Sequence, residues 1–182
     1  MANTRVHSEL MGSIPATQLS GQIPTTQLGS GSVVQYLRTQ YTPYTSTNTY
    51  WNAIQDVALS SSGGAQLMNQ TITPKATTNL LVVHAAATTS CSQPFYACLG
   101  LFRDAASACF AMQLTTPEVA GYQYPLDVWG AVTAGSLAAT DFRVRVGNGS
   151  NGGYTTYING YGGTRYGGGT MATFLEIWEI AA

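Results

Sequence analysis

The chain has 182 residues and a formal net charge of −1, and only 15 side chains, 8 %, are Lys, Arg, Asp or Glu, against roughly 25 % in an ordinary globular domain. Seven cations cannot make a strong phosphate footprint, which argues against nucleic-acid binding through a basic surface. A hydrophobic content of 45 % excludes a charge-rich disordered chain. No run of about 18 apolar residues occurs, so no membrane-spanning helix is expected. The opening MANTRVHSELMGS lacks the apolar core of a signal peptide. The 38 Ser and Thr, 20 Gly and 11 Tyr point to an all-β chain. So low a charge fits either a neutral, Thr-rich β surface or a surface largely buried in a homo-oligomer. The second is favoured, because obligate interfaces are depleted in charge.

Residues 1–32 differ from the rest. Ile14-Pro15-Ala16-Thr17-Gln18-Leu19-Ser20-Gly21 is followed by Ile23-Pro24-Thr25-Thr26-Gln27-Leu28-Gly29, a repeat of nine residues. Proline removes a ladder donor in each copy and disfavours helix. The apolar residues are too sparse for a core from one chain, and two copies are too few for a self-supporting solenoid. The segment reads either as a disordered arm with a fortuitous duplication or as an extended arm ordered against other chains.

From Val33 the pattern changes to short β-type runs: Val33–Thr39, Thr49–Leu59 and Gln66–Ile72. Asn79–Thr89 is continuously apolar with small residues, as in a strand buried on both faces. Phe95–Arg103 and Ala108–Leu114 flank a turn at Asp104–Ser107, and Tyr124–Thr133 carries Trp129. In Asp141–Val146, Phe142, Val144 and Val146 alternate with Asp141, Arg143 and Arg145. Thr155–Asn159 and Met171–Ile180 complete the set. Nine or ten such strands predict a sandwich or jelly roll. Met171–Ile180 is largely apolar on both faces, so one face is expected to meet the core and the other a neighbouring chain or sheet. A buried Glu176 would need a partner, for which Arg103, Arg143 and Arg145 are the candidates. Gly147–Gly169 holds ten of the twenty Gly together with Tyr154, Tyr157, Tyr161 and Tyr166. It reads as a recognition loop, in which Tyr gives rigid contact area, or as a hairpin whose Tyr pack on the sheet edge.

Chemistry-bearing patterns are sparse. Cys91, Cys98 and Cys109 match no metal or redox spacing and read as buried free thiols, a Cys91–Cys98 disulfide being the alternative. His84 lies in an apolar run and reads as a satisfied core histidine; on the axis of a trimer it would meet its own copies and bind a metal or anion. Asp104, Glu118, Asp127 and Asp141 are scattered, with no spacing that pairs them for glycoside hydrolysis. No catalytic residue, metal ligand or cofactor is assigned.

Gly31-Ser32-Val33-Val34-Gln35, Thr71-Ile72-Thr73-Pro74-Lys75-Ala76-Thr77-Thr78-Asn79-Leu80-Leu81-Val82, and Tyr157-Ile158-Asn159-Gly160 through Gly168-Gly169-Thr170-Met171 to Glu179-Ile180-Ala181-Ala182 carry a resemblance. Over residues 31–182 the chain resembles the C-terminal β-domains of tailed-bacteriophage fibre and head-fibre proteins, and its arm looks like their short linking repeats. The motifs mark a scaffold and not a reaction. The resemblance implies a homotrimer on the virion surface, with a jelly-roll-like β-sandwich head (33–182) and an extended N-terminal arm (1–32). Ile14, Leu19, Ile23 and Leu28 would anchor the arm to capsid or tail proteins. Tyr154, Tyr157, Tyr161, Arg165 and Tyr166 would be the candidate contacts to a host surface glycan or protein, with no nucleic acid and no membrane insertion. The expected function is a non-enzymatic fibre or spike. A capsid decoration protein without receptor binding is the first alternative and a small polysaccharide depolymerase the second.

Overall fold

The computed structural model describes residues 29–53, 56, 58–149 and 153–182. Its strands are β1 (Val33–Tyr41), β2 (Thr45–Thr47), β3 (Ala65–Ile72), β4 (Leu80–Cys91), β5 (Ala97–Arg103), β6 (Ala111–Thr115), β7 (Tyr124–Thr133), β8 (Thr140–Asn148), β9 (Thr156–Ile158), β10 (Gly160–Tyr161), β11 (Thr164–Arg165) and β12 (Thr173–Ile180). The anchoring residues Ile14, Leu19, Ile23 and Leu28 lie outside the described residues.

The pairings are nested. β5 pairs with β6, β4 with β7, β3 with β8 and β1 with β12, all antiparallel. This long hairpin is rolled over on itself, because β12 also pairs with β4 and β8 with β5. Two facing layers of four strands result, ordered β1-β12-β4-β7 and β3-β8-β5-β6, the first belonging to a sheet of six. Eight antiparallel strands in two sheets with this connectivity form a jelly roll, so the fold is the all-β sandwich that the strand pattern predicts. At the far end of β4, beyond the reach of β12, β9 pairs with Thr89–Cys91 and β2 pairs with β9.

Alternation with period two decides what lies between the sheets. Leu81, Val83, Ala85 and Ala87 of β4, with Leu175 and Ile177 of β12, face Leu99 and Leu101 of β5 and Phe142, Val144 and Val146 of β8 in one buried cluster. β5 is buried on its other face as well. There Cys98 and Phe102 pack with Trp51, Ala53 and Leu59 in a second, smaller core.

That second core explains a departure from expectation. The described residues of Thr49–Leu59 form no strand and make only an isolated bridge, Tyr50 to Asn148. The Trp51 amide donates to the Asn148 carbonyl at 2.8 Å, and the indole Nε1–H donates to the Ser60 carbonyl at 2.7 Å. Trp51, Ala53 and Leu59 thus lie over the outer face of β5, where the core and not a ladder rewards them. Gly63 and Gly64 allow the indole to sit against the backbone, since a Cβ on either would come within 2.3 Å of the ring. Gly64 also has φ +61, a value side-chain-bearing residues rarely adopt.

β12 shows the anticipated two faces. Thr173, Leu175, Ile177 and Glu179 are buried, and Phe174, Glu176, Trp178 and Ile180 on the opposite face are half-buried. The fully buried carboxylate is therefore Glu179. It accepts hydrogen bonds from Gln35 Nε2 (2.6 Å), Asn79 Nδ2 (2.6 Å) and the backbone amides of Lys75 (2.7 Å) and Ala76 (3.3 Å). These donors satisfy its oxygens without a cation, as a buried charge requires.

Candidate functional site

The strand registers line up side chains across the outer face of the β7-β4-β12-β1 sheet. One row reads Trp129, His84, Glu176, Arg38. The row on one side reads Asp127, Ala86, Phe174, Gln40, and the row on the other reads Ala131, Val82, Trp178, Tyr36. Four residues distant in sequence thus become cross-strand neighbours, the unit by which sheets stabilise themselves.

His84 is the hub. Its ring stacks on Trp129 with centroids 3.9 Å apart and an 11° interplanar angle, and it meets Phe174 edge-on at 5.4 Å. Nδ1 lies 3.0 Å from Glu176 Oε2, and Nε2 lies 3.1 Å from Asp127 Oδ2. Both contacts are hydrogen bonds when each ring nitrogen carries a proton. Glu176 also accepts from the Tyr36 hydroxyl at 2.5 Å and pairs with Arg38 Nε at 3.7 Å. The Arg38 guanidinium lies over the Phe174 ring, 5.0 Å from its centroid. Burial alone would push the Glu176 carboxyl up. The hydrogen bonds from Tyr36 and His84, with the charges of His84 and Arg38, more than reverse this and hold it below the usual carboxylate value. The same bond to Glu176 raises the Tyr36 phenol, with burial adding to it.

This corrects the expected partners of Glu176. Arg103 pairs with Asp104 (3.4 Å) and donates to the carbonyls of Thr133 and Ala134. Arg143 donates to the Ala106 carbonyl, and Arg145 to those of Gly63 and Gly64. None of the three reaches Glu176; Arg38 does, because β1 lies beside β12. His84 is satisfied as expected, but on the outer face and not in the core. The aromatic residues around it gave no sequence signal as a group, since they come from three strands.

The face is apolar as well as paired. Of the nine large hydrophobic side chains exposed among the described residues, Val33, Tyr36, Leu80 and Trp129 lie on these four strands, Trp129 being 57 % exposed. Trp129 and Trp178 stack with centroids 5.6 Å apart, and Tyr36 packs on Trp178 at 5.3 Å. Trp129, Trp178 and Tyr36 thus form one aromatic patch on this face. Both His84 nitrogens are engaged by carboxylates, and among the described residues no hydroxyl or thiol is hydrogen-bonded to the ring as a nucleophile would be.

The five residues of the Gly/Tyr-rich stretch do not form one site. Tyr154 stacks on Phe95 at 4.9 Å and packs against the main core. Tyr157 stacks with Tyr44 (6.3 Å) and meets Tyr161 edge-on (5.0 Å), and burial pushes its phenol up, with Tyr161 and Tyr44 adding to the effect. Arg165 is exposed on β11, opposite Gly160, and donates to the Gly168 carbonyl at 3.3 Å. Tyr166 is half-buried, its amide donating to the Asn159 carbonyl. Cys91, Cys98 and Cys109 are free thiols, so the alternative Cys91–Cys98 disulfide is not formed.

No protein-family model matches the chain, and no curated protein matches it. Among solved structures, it is similar to a chain in the structure of infectious bursal disease virus Gx strain, with 11 % identity and a TM-score of 0.32. The match covers 93 % of this chain and 43 % of that one, so this chain spans less than half of its neighbour's length. The jelly roll described above rests on the strand pairing and not on this likeness.

Proposed function

We propose that the chain is a non-enzymatic structural protein of a bacteriophage virion, a short trimeric fibre or spike. Residues 1–32 attach it to the capsid or tail, and the jelly-roll head sits on the virion surface. The observation that carries this reading is the outer sheet face, which presents exposed aromatic and aliphatic side chains together with charges already paired among themselves. Such a face is suited to being covered in an assembly. The jelly roll is compatible with the reading, since viral capsid and lectin domains use it, but a fold alone does not decide function. The fibre-like motifs of residues 31–182 and the nine-residue arm repeat support the phage assignment.

Host attachment belongs to the same proposal. Tyr157 packs with Tyr44 and Tyr161, and a three-fold assembly would present three such clusters, so that weak contacts to a host glycan or protein gain avidity. The test is made on particles of the phage that encodes the chain. Surface labelling with an antibody to the head, and loss of the head from particles when residues 1–32 are deleted, are the expected results. Absence of the chain from purified particles overturns the virion reading, and retention of the shortened chain overturns the role of the arm.

A further inference from the structure

We propose that the outer face of the β7-β4-β12-β1 sheet docks against the same face of a second copy of this chain, across a two-fold axis running along the strands. The proposal rests on the reading that the chain assembles with its own copies, and not on the number three.

Two features set this face apart. First, its charged groups are engaged within the face: Arg38 with Glu176, Glu176 with His84, and His84 with Asp127. Charged groups that already have partners can lose their water without being stranded, the cost that ordinarily prevents burial of charged surface. Second, the row is polar end to end in a fixed direction, with the cation Arg38 at the β1 edge and the ring of Trp129 at the β7 edge, Asp127 being one row away on the same strand.

That direction selects the symmetry. A two-fold axis along the strands reverses the row against itself. Arg38 then lies over Trp129 of the second copy, a cation on an aromatic face, and Glu176 lies opposite His84. An axis across the strands would instead set Arg38 on Arg38 and Glu176 on Glu176, which like charges oppose. Packed sheets cross at about 30°, which shifts the edge strands by about 4 Å, less than the roughly 6.6 Å between rows. The Arg38 side chain spans that distance, so it meets either Trp129 or Asp127 of the second copy. Four strands about 4.8 Å apart and seven residues of about 3.3 Å give a flat footprint of about 400 Å². This is below the about 800 Å² per partner of a standard interface, so the contact is concentration-dependent.

Sedimentation equilibrium of the full chain, from micromolar to millimolar concentration, tests the proposal. Wild type is expected to form species with an even number of copies: two, or six if trimers also form. Trp129→Ser should weaken the pairing about thirtyfold, as truncation of an aromatic anchor does. Arg38→Ala should weaken it less. Leu137→Ser removes a 56 % exposed leucine outside these strands and should leave the association unchanged. Near-UV circular dichroism shows whether each variant is folded, and Arg38→Ala keeps the test decisive if Trp129→Ser is not. A wild type that is only monomeric or only trimeric overturns the proposal, as does an equal effect of Leu137→Ser. A trimer-only result leaves the proposed spike standing, whereas dimers that lack trimers support this contact and remove the copy number of three. A monomer whose tryptophan emission shifts on adding host-surface oligosaccharide also overturns it, in favour of a glycan on the same face.

Discussion

Asn79 Nδ2 donates to Glu179 Oε1 at 2.6 Å across 100 residues of sequence, joining the start of β4 to the end of β12. The same carboxylate oxygen takes the Lys75 and Ala76 amides, so one buried side chain organises the turn leading into the central strand.

Replacing Glu179 with Ala removes the acceptor of the buried Asn79 amide and of the Lys75 and Ala76 N–H groups, while Gln35 keeps the Thr73 carbonyl. The expected cost is about 3 kcal/mol or more. For a chain of this size that corresponds to a melting temperature lower by roughly 6–12 °C. Glu179→Gln keeps an acceptor and should cost about half as much. Calorimetry of the two variants decides: a loss under about 1 kcal/mol for Glu179→Ala would show that water replaces the carboxylate readily.

Acid should loosen the outer face. The Glu176 carboxyl is held below its ordinary value in the folded chain. Its contribution to stability is therefore fully present above the unfolded value of 4.5 and is lost as the pH falls through the lower folded value. In urea unfolding followed from neutral pH downward, Glu176→Gln should flatten the acid limb of the stability curve. An unchanged limb would mean that Tyr36, His84 and Arg38 do not stabilise the carboxylate in the way their contacts imply.

The second core should be as costly to damage as the first. Trp51 is 3 % exposed, lies 6.3 Å from the Phe102 ring and rests on the backbone of Gly63 and Gly64. Trp51→Ala should cost about 3–5 kcal/mol, read as a lower urea midpoint with little change in slope. A cost below about 1 kcal/mol would show that the loop over β5 folds independently of the sandwich.

The thiols should be inert in the folded chain. Burial pushes Cys91 and Cys98 up to about 12 and raises Cys109 as well. At mildly alkaline pH, iodoacetamide should modify none of them quickly, and all three after denaturation. Rapid labelling of Cys98 in the native chain would contradict the packing around Phe102 and Trp51.

Much of the fold could be read in advance. Alternation marked β8, apolar runs marked β4 and β12, and Asp104, with φ 47, sits in the anticipated turn between β5 and β6. The 49–59 segment misled because Trp51, Ala53 and Leu59 cover a sheet instead of joining one, and spacing along a chain does not separate those outcomes. The Gly/Tyr-rich stretch divided between both of its readings: Tyr154 packs on the core, while Arg165 remains exposed.

The sequence by itself determined that the chain is β-rich, poor in charge and built from strands with two distinct faces, because a period of two needs only neighbouring residues. It could not determine which face of β12 turns inward, because both are apolar and each carries a glutamate. Tertiary structure decided that when the nested hairpin rolled up. Glu179 went to the interior with its amide donors, and Glu176 went to the outer row with His84, Arg38 and Tyr36. The candidate site exists only after that rolling, since antiparallel pairing across four strands is what brings residues 38, 84, 129 and 176 into one line.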